Sequence, residues 1–389
     1  MIALVEPGPE LPPERIARYS RQLMLPGFGE DAQRRLGAAR VLVIGAGGLG
    51  SALIPALAGS GVGTIGVIDD DVVELSNLHR QLSHGMDDIG RSKVGSLADT
   101  VRDIDPGILV RPYRERATAE TLPTILAEYD LLVDGSDNFP TRYLADDAAR
   151  LAGKPLVWGS ILRFQGQVGV AVPEVGFRDL FPAPPAADEV LSCELGGVLA
   201  SLCTAIGSFM ATEVVKLITG VGEPLVGRVL FYDALTARTR EIGFERADDA
   251  APVTGLVDYD LFCGTGAAED TSALSAAEVL RLRREGGVRL LDVREPHETL
   301  LRGIPGAATL PLGALEDGVA VPASVDTGDG PLVVFCEKDP RSRQAVQVLR
   351  ERGVEARYLA GGIRAFAAVG GTTEGADACD ALSDRRETK

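Results

Sequence analysis

The amino-acid sequence predicts an α/β protein in which a doubly wound parallel sheet is followed by a smaller α/β domain. The chain has 389 residues, more than one hydrophobic core usually supports, so two domains are expected. Short apolar runs alternate with helical stretches, and one run, Val41 to Ile44, leads into the glycine-rich turn GAGGLG. A second alternation of the same kind begins at Ser275 and continues to about Gly371.

The elements of the first domain follow one another at regular intervals. After a Pro-rich start, residues 13–24 are predicted to form a short helix. The predicted strands are all short apolar runs, and they are Val41 to Ile44, a strand ending at Val67 to Asp69, Leu109 to Tyr113, Leu131 to Val133, Leu156 to Trp158 and Gln167 to Val172. Helical stretches separate them, which is typical of a parallel sheet covered on both faces.

Changes in composition divide the rest of the chain. Residues 173–192 are rich in proline, which predicts an irregular crossover, and residues 194–219 are predicted to form one long apolar helix that Gly220 ends. A flexible N terminus, a first domain, a linker, a second domain and a disordered tail are expected at 1–12, 13–250, 251–272, 273–371 and 372–389.

Charge and composition limit the classes of function. With 45% hydrophobic residues and a net charge of −17, the chain is expected to be a soluble globular protein without a nucleic-acid partner. The sequence shows no signal segment and no long uninterrupted apolar stretch, so a cytoplasmic location without a membrane partner is expected. The five cysteines lie far apart, which favours free thiols over a disulfide framework.

The glycine-rich turn indicates a phosphate site. Gly45 and Gly47 allow the backbone to turn and to approach a phosphate, and Gly50 allows close packing of the helix that follows. The N terminus of that helix offers unpaired N–H groups. By itself the turn is equally compatible with an ordinary dinucleotide site.

Polar residues after the turn favour ATP over NAD. Asp69 and Asp71 follow the second strand, where they are placed for ribose hydroxyls. Two amides and two cations come next, at Asn77, Arg80, Gln81 and Lys93. Fixed cations suit a triphosphate whose pyrophosphate must leave, because they neutralise the charge that builds up. Asp137, after the strand ending at Val133, is expected to bind Mg²⁺.

Five segments resemble the MoeB/ThiF family of adenylyltransferases, relatives of ubiquitin-activating enzymes. They are RYSRQLMLPGFG, VLVIGAGGLGS, DDDVVELSNLHRQ, DGSDNFPTRY and GEPLVGRVLFYDAL, within residues 14–245. The resemblance implies a Rossmann-like fold, a homodimer, and adenylation of the C-terminal glycine of a small ubiquitin-like sulfur-carrier protein ending in Gly-Gly. The residues that it implies as ATP contacts are Gly47, Asp69, Asn77, Arg80 and Lys93, with Mg²⁺ at Asp137. It also implies that Arg21 reaches the triphosphate of the partner subunit.

The expected reaction needs no general base. The attacking group would be a C-terminal carboxylate with a pKa near roughly 3.5, which is already ionised at neutral pH. The resemblance makes Arg80 and Arg21 the candidate catalytic cations, which are expected to act through position and charge. The three histidines, His79, His84 and His297, are interpreted as structural or surface residues.

Cys193 is the candidate nucleophile of the first domain. It directly precedes the helix predicted to start at Glu194, where helix N–H groups would favour a thiolate. In the resembling family, the thiol before a sequence like ELGGVL links covalently to the carrier in the members that use one. Cys203 in the apolar helix, Cys263 in the linker and Cys379 in the tail are assigned no function.

A second candidate thiol, Cys336, follows a predicted apolar strand. The loop EKDPRS leads into a helix and is expected to wrap backbone N–H groups around the sulfur, with Arg341 stabilising a thiolate or persulfide. With RLLDVREPHE, GIPGAATLPL and YLAGGIRAF, it resembles a rhodanese domain over residues 275–368, in which Asp292 and Arg294 are interpreted as supporting the fold. The resemblance implies that a Cys336 persulfide supplies sulfur for the carrier thiocarboxylate. The expected donor is a cysteine desulfurase or thiosulfate.

The sequence departs from the family pattern in two places. Many MoeB-like enzymes bind structural zinc through two CxxC pairs, but the corresponding stretches here are GFRDL (Gly176 to Leu180) and APVTG (Ala251 to Gly255). Neither contains cysteine, so zinc bound by thiolates is not expected. The loop after Cys336 also carries Glu337 and Asp339 where a less acidic loop is common.

Two other classes of function stay open on the sequence alone. The glycine turn and the acidic residue after the second strand also fit an NAD-dependent oxidoreductase with an appended domain. A non-catalytic nucleotide-binding scaffold is the other alternative. Arg80, Lys93 and Asp137 argue against the oxidoreductase, and the intact cations at the expected ATP positions argue against the scaffold. Molybdopterin synthesis (molybdenum cofactor biosynthesis), thiamine synthesis, tRNA thiolation and specialised sulfur pathways are all compatible with the resemblance.

Overall fold

The protein divides into two compact units, each with its own sheet and hydrophobic core. The structure, a computed structural model, describes residues 3–185, 197–263, 272–326 and 330–375. The boundary between the units lies between residues 266 and 267, within the predicted linker.

The first unit is built around an eight-stranded sheet. Its strands are β1 (Arg40–Ile44), β2 (Thr64–Ile68), β3 (Leu109–Tyr113), β4 (Leu131–Asp134), β5 (Leu156–Leu162), β6 (Gln165–Ala171), β7 (Arg228–Asp233) and β8 (Arg238–Gly243). Their order is β3-β2-β1-β4-β5-β6-β7-β8. The first five strands of this order, β3 to β5, pair in parallel, whereas β5, β6, β7 and β8 pair antiparallel with one another in turn. The predicted α/β class is confirmed, whereas β7, β8 and the antiparallel part of the sheet were not predicted.

Helices cover both faces of this sheet. They are α1 (Pro13–Arg18), α2 (Ser20–Leu23), α3 (Gly29–Ala38), α4 (Gly50–Ser60), α5 (Lys93–Ile104), α6 (Leu122–Leu126), α7 (Phe139–Leu151), α8 (Phe177–Leu180), α9 (Ala200–Thr219) and α10 (Tyr259–Phe262), with 3-10 turns at Leu75–Asn77 and Met86–Asp88. Val41 and Val43 of β1 join a core that includes residues of α3, α4 and α9, whereas Leu42 and Ile44 join a core that includes residues of α6 and α7. Side chains alternate along a strand, so β1 is buried on both faces.

The long apolar helix starts later than predicted. The sequence predicts a start at residue 194, but α9 begins at Ala200, after Leu199 in extended conformation. Val198 bridges to Arg163 in the turn between β5 and β6, and the Leu199 N–H donates to the Arg163 carbonyl at 3.1 Å. Backbone pairing therefore overrides helix propensity here. By length and composition α9 is apolar enough to cross a membrane, but 61% of its most apolar window is buried inside the unit.

Two further segments differ from prediction. Residues 13–24 form two helices, because the backbone of Tyr19 leaves helical geometry (φ −97°, ψ 13°) and its hydroxyl donates to Asp105 at 2.8 Å. Part of the predicted linker, Tyr259–Phe262, is helical, and the adjoining Cys263 is buried in the core of the first unit. Burial raises the pKa of the Cys263 thiol to about 11, so this thiol stays protonated at neutral pH.

The second unit contains a five-stranded, entirely parallel sheet. Its strands are β9 (Ala273–Leu274), β10 (Arg289–Asp292), β11 (Ala308–Thr309), β12 (Leu332–Phe335) and β13 (Ala356–Leu359), in the order β11-β10-β12-β13-β9. Its helices are α11 (Ala276–Arg284), α12 (Pro296–Leu301), α13 (Leu312–Glu316), α14 (Ala323–Asp326), α15 (Pro340–Glu351) and α16 (Gly362–Ala368). Because β12 is the central strand, the residue after it lies at the middle of the sheet's C-terminal edge.

Candidate functional site

The glycine turn lies where the strand order of the first sheet reverses. The chain runs outward from β1 to β2 and β3, and then returns to place β4 on the other side of β1. The turn after β1 therefore meets the turn after β4: a Cβ added at Gly45 would lie 3.0 Å from the Gly135 carbonyl oxygen. Ligands of open parallel sheets bind in the crevice at such a switch point.

Two glycines of the turn are required by its geometry. Gly45 has a φ of +98°, which L-residues with a side chain rarely adopt. A Cβ at Gly50 would lie 2.1 Å from the Gly45 carbonyl oxygen, so the first turn of α4 has no room for a side chain there. Gly48 also packs closely, since its Cβ would lie 2.9 Å from Cys203 Sγ. The shape of the turn therefore comes from close backbone packing.

Gly47 faces a different environment from its neighbours. Among the described residues, a Cβ there would meet a single group within 4 Å, Gln81 Nε2 at 3.7 Å. Gln81 is 3% exposed, and its Oε1 has no hydrogen-bond partner within the part of the chain that the structure describes. An unpaired buried carbonyl costs free energy unless a ligand or water satisfies it. Gly47 and Gln81 therefore fit a bound nucleotide.

Asp69 holds the glycine turn in place. One carboxylate oxygen accepts from the Ala46 N–H (2.8 Å), and the other accepts from the Asp71 N–H (2.9 Å). Burial raises the pKa of Asp69, and the nearby Lys93 ammonium opposes this shift. Each carboxylate oxygen has a second lone pair, so these contacts leave Asp69 able to accept from a ribose hydroxyl.

Lys93 is a buried cation at the first position of α5. Its Nζ donates to Asp71 Oδ2 at 2.7 Å. The Lys93 side chain is only 7% exposed, whereas that of Asp71 is 65% exposed. The positive charge of Lys93 is therefore shielded from solvent, whereas its carboxylate partner is exposed.

Arg80 lies beside the turn, and Arg21 lies elsewhere on the surface. The Arg80 guanidinium donates to the Ser76 carbonyl (2.9 Å), and its Cγ would lie 4.0 Å from a Cβ at Gly48. Asn77 is buried, and its Oδ1 accepts from the Glu74 N–H at 3.1 Å. Arg21 is exposed on α2, so its contact with a partner subunit's triphosphate stays a prediction.

Asp137 is positioned by two residues that sequence reasoning missed. Asp134, fully buried at the end of β4, accepts from the Ser136 N–H (2.9 Å), the Ser136 hydroxyl (2.6 Å) and Arg142 Nε (3.3 Å). Arg142 also donates to the carbonyls of Ser136 and Gly159, both at 3.0 Å. The loop that carries the exposed Asp137 is thereby fixed. The acidic and basic residues within DGSDNFPTR could have indicated an ion pair in this loop. That Asp134 pairs with Arg142, however, depends on the geometry of the turn.

His84 is a second missed contact of the glycine turn. Its Nε2 lies 3.2 Å from the Ala46 carbonyl oxygen and its Nδ1 lies 2.8 Å from Ser96 Oγ. Burial lowers the pKa of His84, so the ring is neutral at neutral pH, with Nε2–H donating to Ala46. The ring supports the turn, in agreement with its structural interpretation.

The carboxylates present suit Mg²⁺ only in combination with a substrate. Within the described residues, no group of three or more His, Cys, Asp or Glu side chains converges on one point. Mg²⁺ commonly takes one or two carboxylates together with phosphate oxygens and water. Exposed Asp137, next to the crevice, fits that role.

Of the two cysteines around the long apolar helix, the structure describes Cys203 and not Cys193. Cys193 lies outside the described residues. Within the described residues the long apolar helix begins at Ala200, so the lowered pKa expected for Cys193 stays a prediction. Cys203 is fully buried under Gly48, and burial raises the pKa of its thiol, which agrees with a packing role.

Cys336 lies at the end of β12, as predicted. It is 1% exposed, and its thiol donates to Ser342 Oγ at 3.5 Å. The Ser342 hydroxyl in turn donates to the Asp339 carbonyl at 2.9 Å, and the Asp339 carboxylate accepts from the Gly361 N–H at 2.6 Å. The loop is therefore tied to α15 on one side and to the start of α16 on the other.

The Arg341 side chain forms an ion pair that the sequence analysis did not include. Both of its terminal nitrogens donate to the Glu298 carboxylate, one of them at 2.6 Å. Arg341 remains close enough to Cys336 for a thiolate there to interact with its charge. A thiolate or persulfide at Cys336 therefore faces an arginine whose charge is already shared with a carboxylate.

The segment GFRDL, one of the two stretches that lack the cysteines expected from the family resemblance, is held by hydrogen bonds and an ion pair. The Asp146 carboxylate accepts from the N–H groups of Phe177 (2.9 Å) and Arg178 (3.2 Å). Arg178 donates twice to Asp147, both at 2.6 Å, and its guanidinium lies 4.6 Å from the Phe262 ring centroid of α10. These residues offer no thiolate and do not fit a zinc site.

Comparisons with known proteins cover both units. The ThiF family model matches residues 19–253, and a rhodanese-like domain model matches residues 275–369. The chain is 44% identical to the probable adenylyltransferase/sulfurtransferase MoeZ of Mycobacterium tuberculosis, over 94% of this chain and 96% of that protein. It is 45% identical to the sulfur carrier protein adenylyltransferase of Thermus thermophilus, over 64% of this chain and 97% of that protein. The E. coli MccB structure with ATP shares the fold (TM-score 0.52, 21% identity, 62% of this chain and 76% of that chain).

Proposed function

This chain belongs to the ThiF family and carries a rhodanese-like domain, and from that premise we propose its reaction. It uses ATP to adenylate the C-terminal glycine of a ubiquitin-like sulfur-carrier protein, and then transfers sulfur through a Cys336 persulfide to give the carrier thiocarboxylate. One observation carries the proposal: a single chain holds a glycine-turn crevice in one unit and a cysteine loop at the end of β12 in the other. Relatives named as adenylyltransferases and sulfurtransferases match both parts. The oxidoreductase and scaffold alternatives gain no support.

In the adenylation step, the cations of the crevice act on the triphosphate. The carrier carboxylate attacks the α-phosphoryl group, a new P–O bond forms, and the bond to pyrophosphate breaks. The Lys93 ammonium and the Arg80 guanidinium neutralise the charge that moves onto the leaving pyrophosphate. The carboxylate is ionised at neutral pH, so no side chain has to remove a proton. Mg²⁺, held by Asp137, supplies further charge neutralisation when bound.

The other predicted contacts are assigned to nucleotide binding. Gly47 lets the backbone approach a phosphate, since it has open space where a side chain would lie. The Gln81 carbonyl, buried and unpaired among the described residues, accepts a hydrogen bond from the nucleotide. Asp69 and Asp71 accept from ribose hydroxyls, and Asn77 supports the turn that carries Arg80.

In the sulfur step, the Cys336 thiolate takes a sulfane sulfur from a donor. A new S–S bond forms at Cys336 as the bond within the donor breaks. We also keep Cys193 as the proposed acceptor of the acyl group, which forms a thioester and releases AMP. The terminal sulfur of the Cys336 persulfide then attacks the thioester carbonyl, and the Cys193 thiolate leaves. A thiol reductant cleaves the S–S bond of the resulting acyl disulfide, which releases the carrier thiocarboxylate. Its support is its position directly before ELGGVL in the sequence.

Three further features belong to the same proposal. The enzyme acts as a homodimer in which Arg21 reaches the partner subunit's triphosphate, supported by the exposure of Arg21 and by the family resemblance. It works in the cytoplasm, supported by the sequence composition. The GFRDL segment is stabilised without zinc, supported by the ion pairs of Arg178 with Asp147.

The test is ATP–pyrophosphate exchange with small carrier proteins that end in Gly-Gly. Exchange is expected with the wild type, and Arg80→Ala and Asp137→Ala are expected to lower it at least about 100-fold, since each removes a preorganised charge at the phosphates. Arg102→Ala is the matched control, because Arg102 is exposed and pairs with Asp99 on α5. Removing the last glycine of the carrier should abolish exchange.

Sulfur transfer is measured separately as formation of the carrier thiocarboxylate. Cys336→Ala should eliminate thiocarboxylate and leave pyrophosphate exchange unchanged. Exchange that is absent with every such carrier, although ATP binds, would contradict the adenylation half of the proposal. Thiocarboxylate formed at the wild-type rate by Cys336→Ala would contradict the sulfur-transfer half.

A further inference from the structure

Glu337, the residue after Cys336, is surrounded by arginines. Its Oε1 accepts from Arg364 Nε at 2.8 Å, and its Oε2 accepts from Arg294 Nη1 at 3.1 Å. Arg302 Nη2 lies 3.6 Å from Oε1. These arginines come from three different segments of the second unit, so the Glu337 carboxylate is in contact with all three positive charges.

The other charges around the loop are paired as well. Arg294 shares its guanidinium with Asp292 (2.7 Å), and Arg341 pairs with Glu298 through both terminal nitrogens. Among the described residues, three carboxylates therefore bind four arginines around the Cys336 loop. The carboxylates are Asp292, Glu298 and Glu337, and the arginines are Arg294, Arg302, Arg341 and Arg364. Asp339 adds a fourth negative charge, and its carboxylate accepts from the Gly361 N–H. The loop also carries Lys338, whose side chain is exposed.

Charge balance at the loop affects the choice of sulfur donor. Thiosulfate is a dianion, so its reaction with a thiolate brings three negative charges together, and unpaired cations are needed to lower that repulsion. A cysteine persulfide carries one ammonium, one carboxylate and one persulfide charge, and its approach to a thiolate meets less repulsion. A loop with its arginines already paired therefore favours the second donor.

We propose that Glu337 is a specificity-determining residue that disfavours thiosulfate and leaves Cys336 to donors that present a cysteine persulfide. The inference rests on the proposed sulfur-transfer function and names its donor class. With thiosulfate, the Cys336 thiolate attacks the sulfane sulfur, the S–S bond of thiosulfate breaks, and sulfite leaves with the bonding pair. With cysteine persulfide, the thiolate attacks the terminal sulfur, and the cysteine thiolate leaves. Both reactions end in the Cys336 persulfide without an outside oxidant or reductant.

The experiment compares persulfide loading of the full chain by thiosulfate and by cysteine persulfide, followed as the added mass of one sulfur atom on the intact protein. Glu337→Gln should raise kcat/KM for thiosulfate about tenfold at low ionic strength, mainly through KM, because it removes one negative charge beside Arg294, Arg302 and Arg364 and so makes the loop more positive. The gain should shrink as salt is added, because salt screens exposed charges. Loading by cysteine persulfide should change less than about twofold.

Two controls separate charge from loop structure. Glu285→Gln removes an exposed carboxylate of the same unit that pairs with Arg281, and it should alter neither donor. Glu337→Asp keeps the charge and should keep the wild-type preference. Two results with Glu337→Gln would overturn the proposal. An equal fall in the loading rate with both donors would mean that Glu337 only supports the loop structure. An unchanged loading rate with both donors would mean that Glu337 has no effect on donor choice.

The same assay distinguishes this inference from the proposed function. Cys336→Ala should lose the loading seen with either donor. Loading that is unaffected by Cys336→Ala would remove the sulfur-transfer function itself, and with it this inference. Loading that requires Cys336 but does not respond to Glu337→Gln would remove the inference and leave the proposed function intact.

Discussion

The two candidate sites differ in how their charged groups are satisfied. Around the glycine turn, Lys93 is buried while its partner Asp71 lies in solvent, Asp137 is exposed, and the Gln81 carbonyl has no hydrogen-bond partner among the described residues. Around Cys336, by contrast, Arg294 and Arg341 are each bound by a carboxylate. One site leaves polar groups for a ligand, and the other satisfies them within the protein.

This difference follows from what each site has to hold. A triphosphate brings several negative charges and many acceptor oxygens, so groups kept ready for it gain new contacts when it binds. A single sulfur atom brings one charge at most, and arginines left unpaired around it would attract other anions. Pairing them with carboxylates keeps the loop rigid and its charge balanced.

The largest expected effect tests whether Lys93 is kept for the triphosphate. Lys93→Met keeps the stem and removes the charge, so we expect ATP–pyrophosphate exchange to fall about 100- to 1,000-fold, the usual loss when one preorganised donor is removed. Lys216→Met is the control, since Lys216 pairs with Glu213 at the far end of α9. If exchange in Lys93→Met stays within threefold of wild type, the buried charge serves only the fold and the comparison fails.

A smaller effect is expected where paired charges lie away from both sites. Arg178→Leu leaves Asp147, whose side chain is 3% exposed, without this arginine partner, and only the Tyr259 hydroxyl (2.6 Å) remains bound to it among the described contacts. The free energy of unfolding of the first unit should fall by about 2 to 3 kcal/mol, measured by denaturant unfolding. Pyrophosphate exchange should stay near wild type at temperatures where the variant is folded.

Unfolding measurements also test the proposal that the first unit needs no zinc. EDTA should leave the melting temperature of the wild type unchanged, because in the proposal the contacts of Arg178 with Asp147 hold GFRDL without a metal. Arg102→Leu, which removes an exposed arginine, should change the free energy of unfolding by less than about 0.5 kcal/mol. A drop in melting temperature with EDTA would show that a metal contributes after all.

The smallest expected effect concerns pH and the support of the glycine turn. Burial lowers the pKa of His84 from its ordinary value of 6.5, so the unfolded chain takes up a proton at a higher pH than the folded one. Stability is therefore complete above about pH 6.5 and is lost as the pH falls below that value. His84→Gln should reduce this loss between pH 7 and 5 by up to about 1 kcal/mol.

The control for the pH prediction is His297→Gln, since His297 is exposed in the second unit. It should leave the pH dependence of unfolding of the first unit unchanged. A wild-type curve that is flat between pH 7 and 5 would mean that the ring is not held neutral by its surroundings.

The sequence alone determined the elements whose signal is local. The strand predicted at Leu109 to Tyr113 has the same limits in the structure, and Cys336 follows β12 as expected. Apolar runs buried on both faces and glycines at a tight turn need no knowledge of distant residues. The family resemblance added the functions of both domains, and the matches to the ThiF family and to a rhodanese-like domain confirm it.

The tertiary structure decided the features that depend on partners far apart in the chain. The start of α9 at Ala200 follows from pairing with Arg163, and the arginines that bind Glu337 include one 43 and one 27 residues away. Asp134 fixes the Asp137 loop only because the turn after β4 brings Arg142 back to it. Composition and periodicity report local preference, whereas the pairing of charges is a property of the folded chain, and this pairing sets the difference between the two sites.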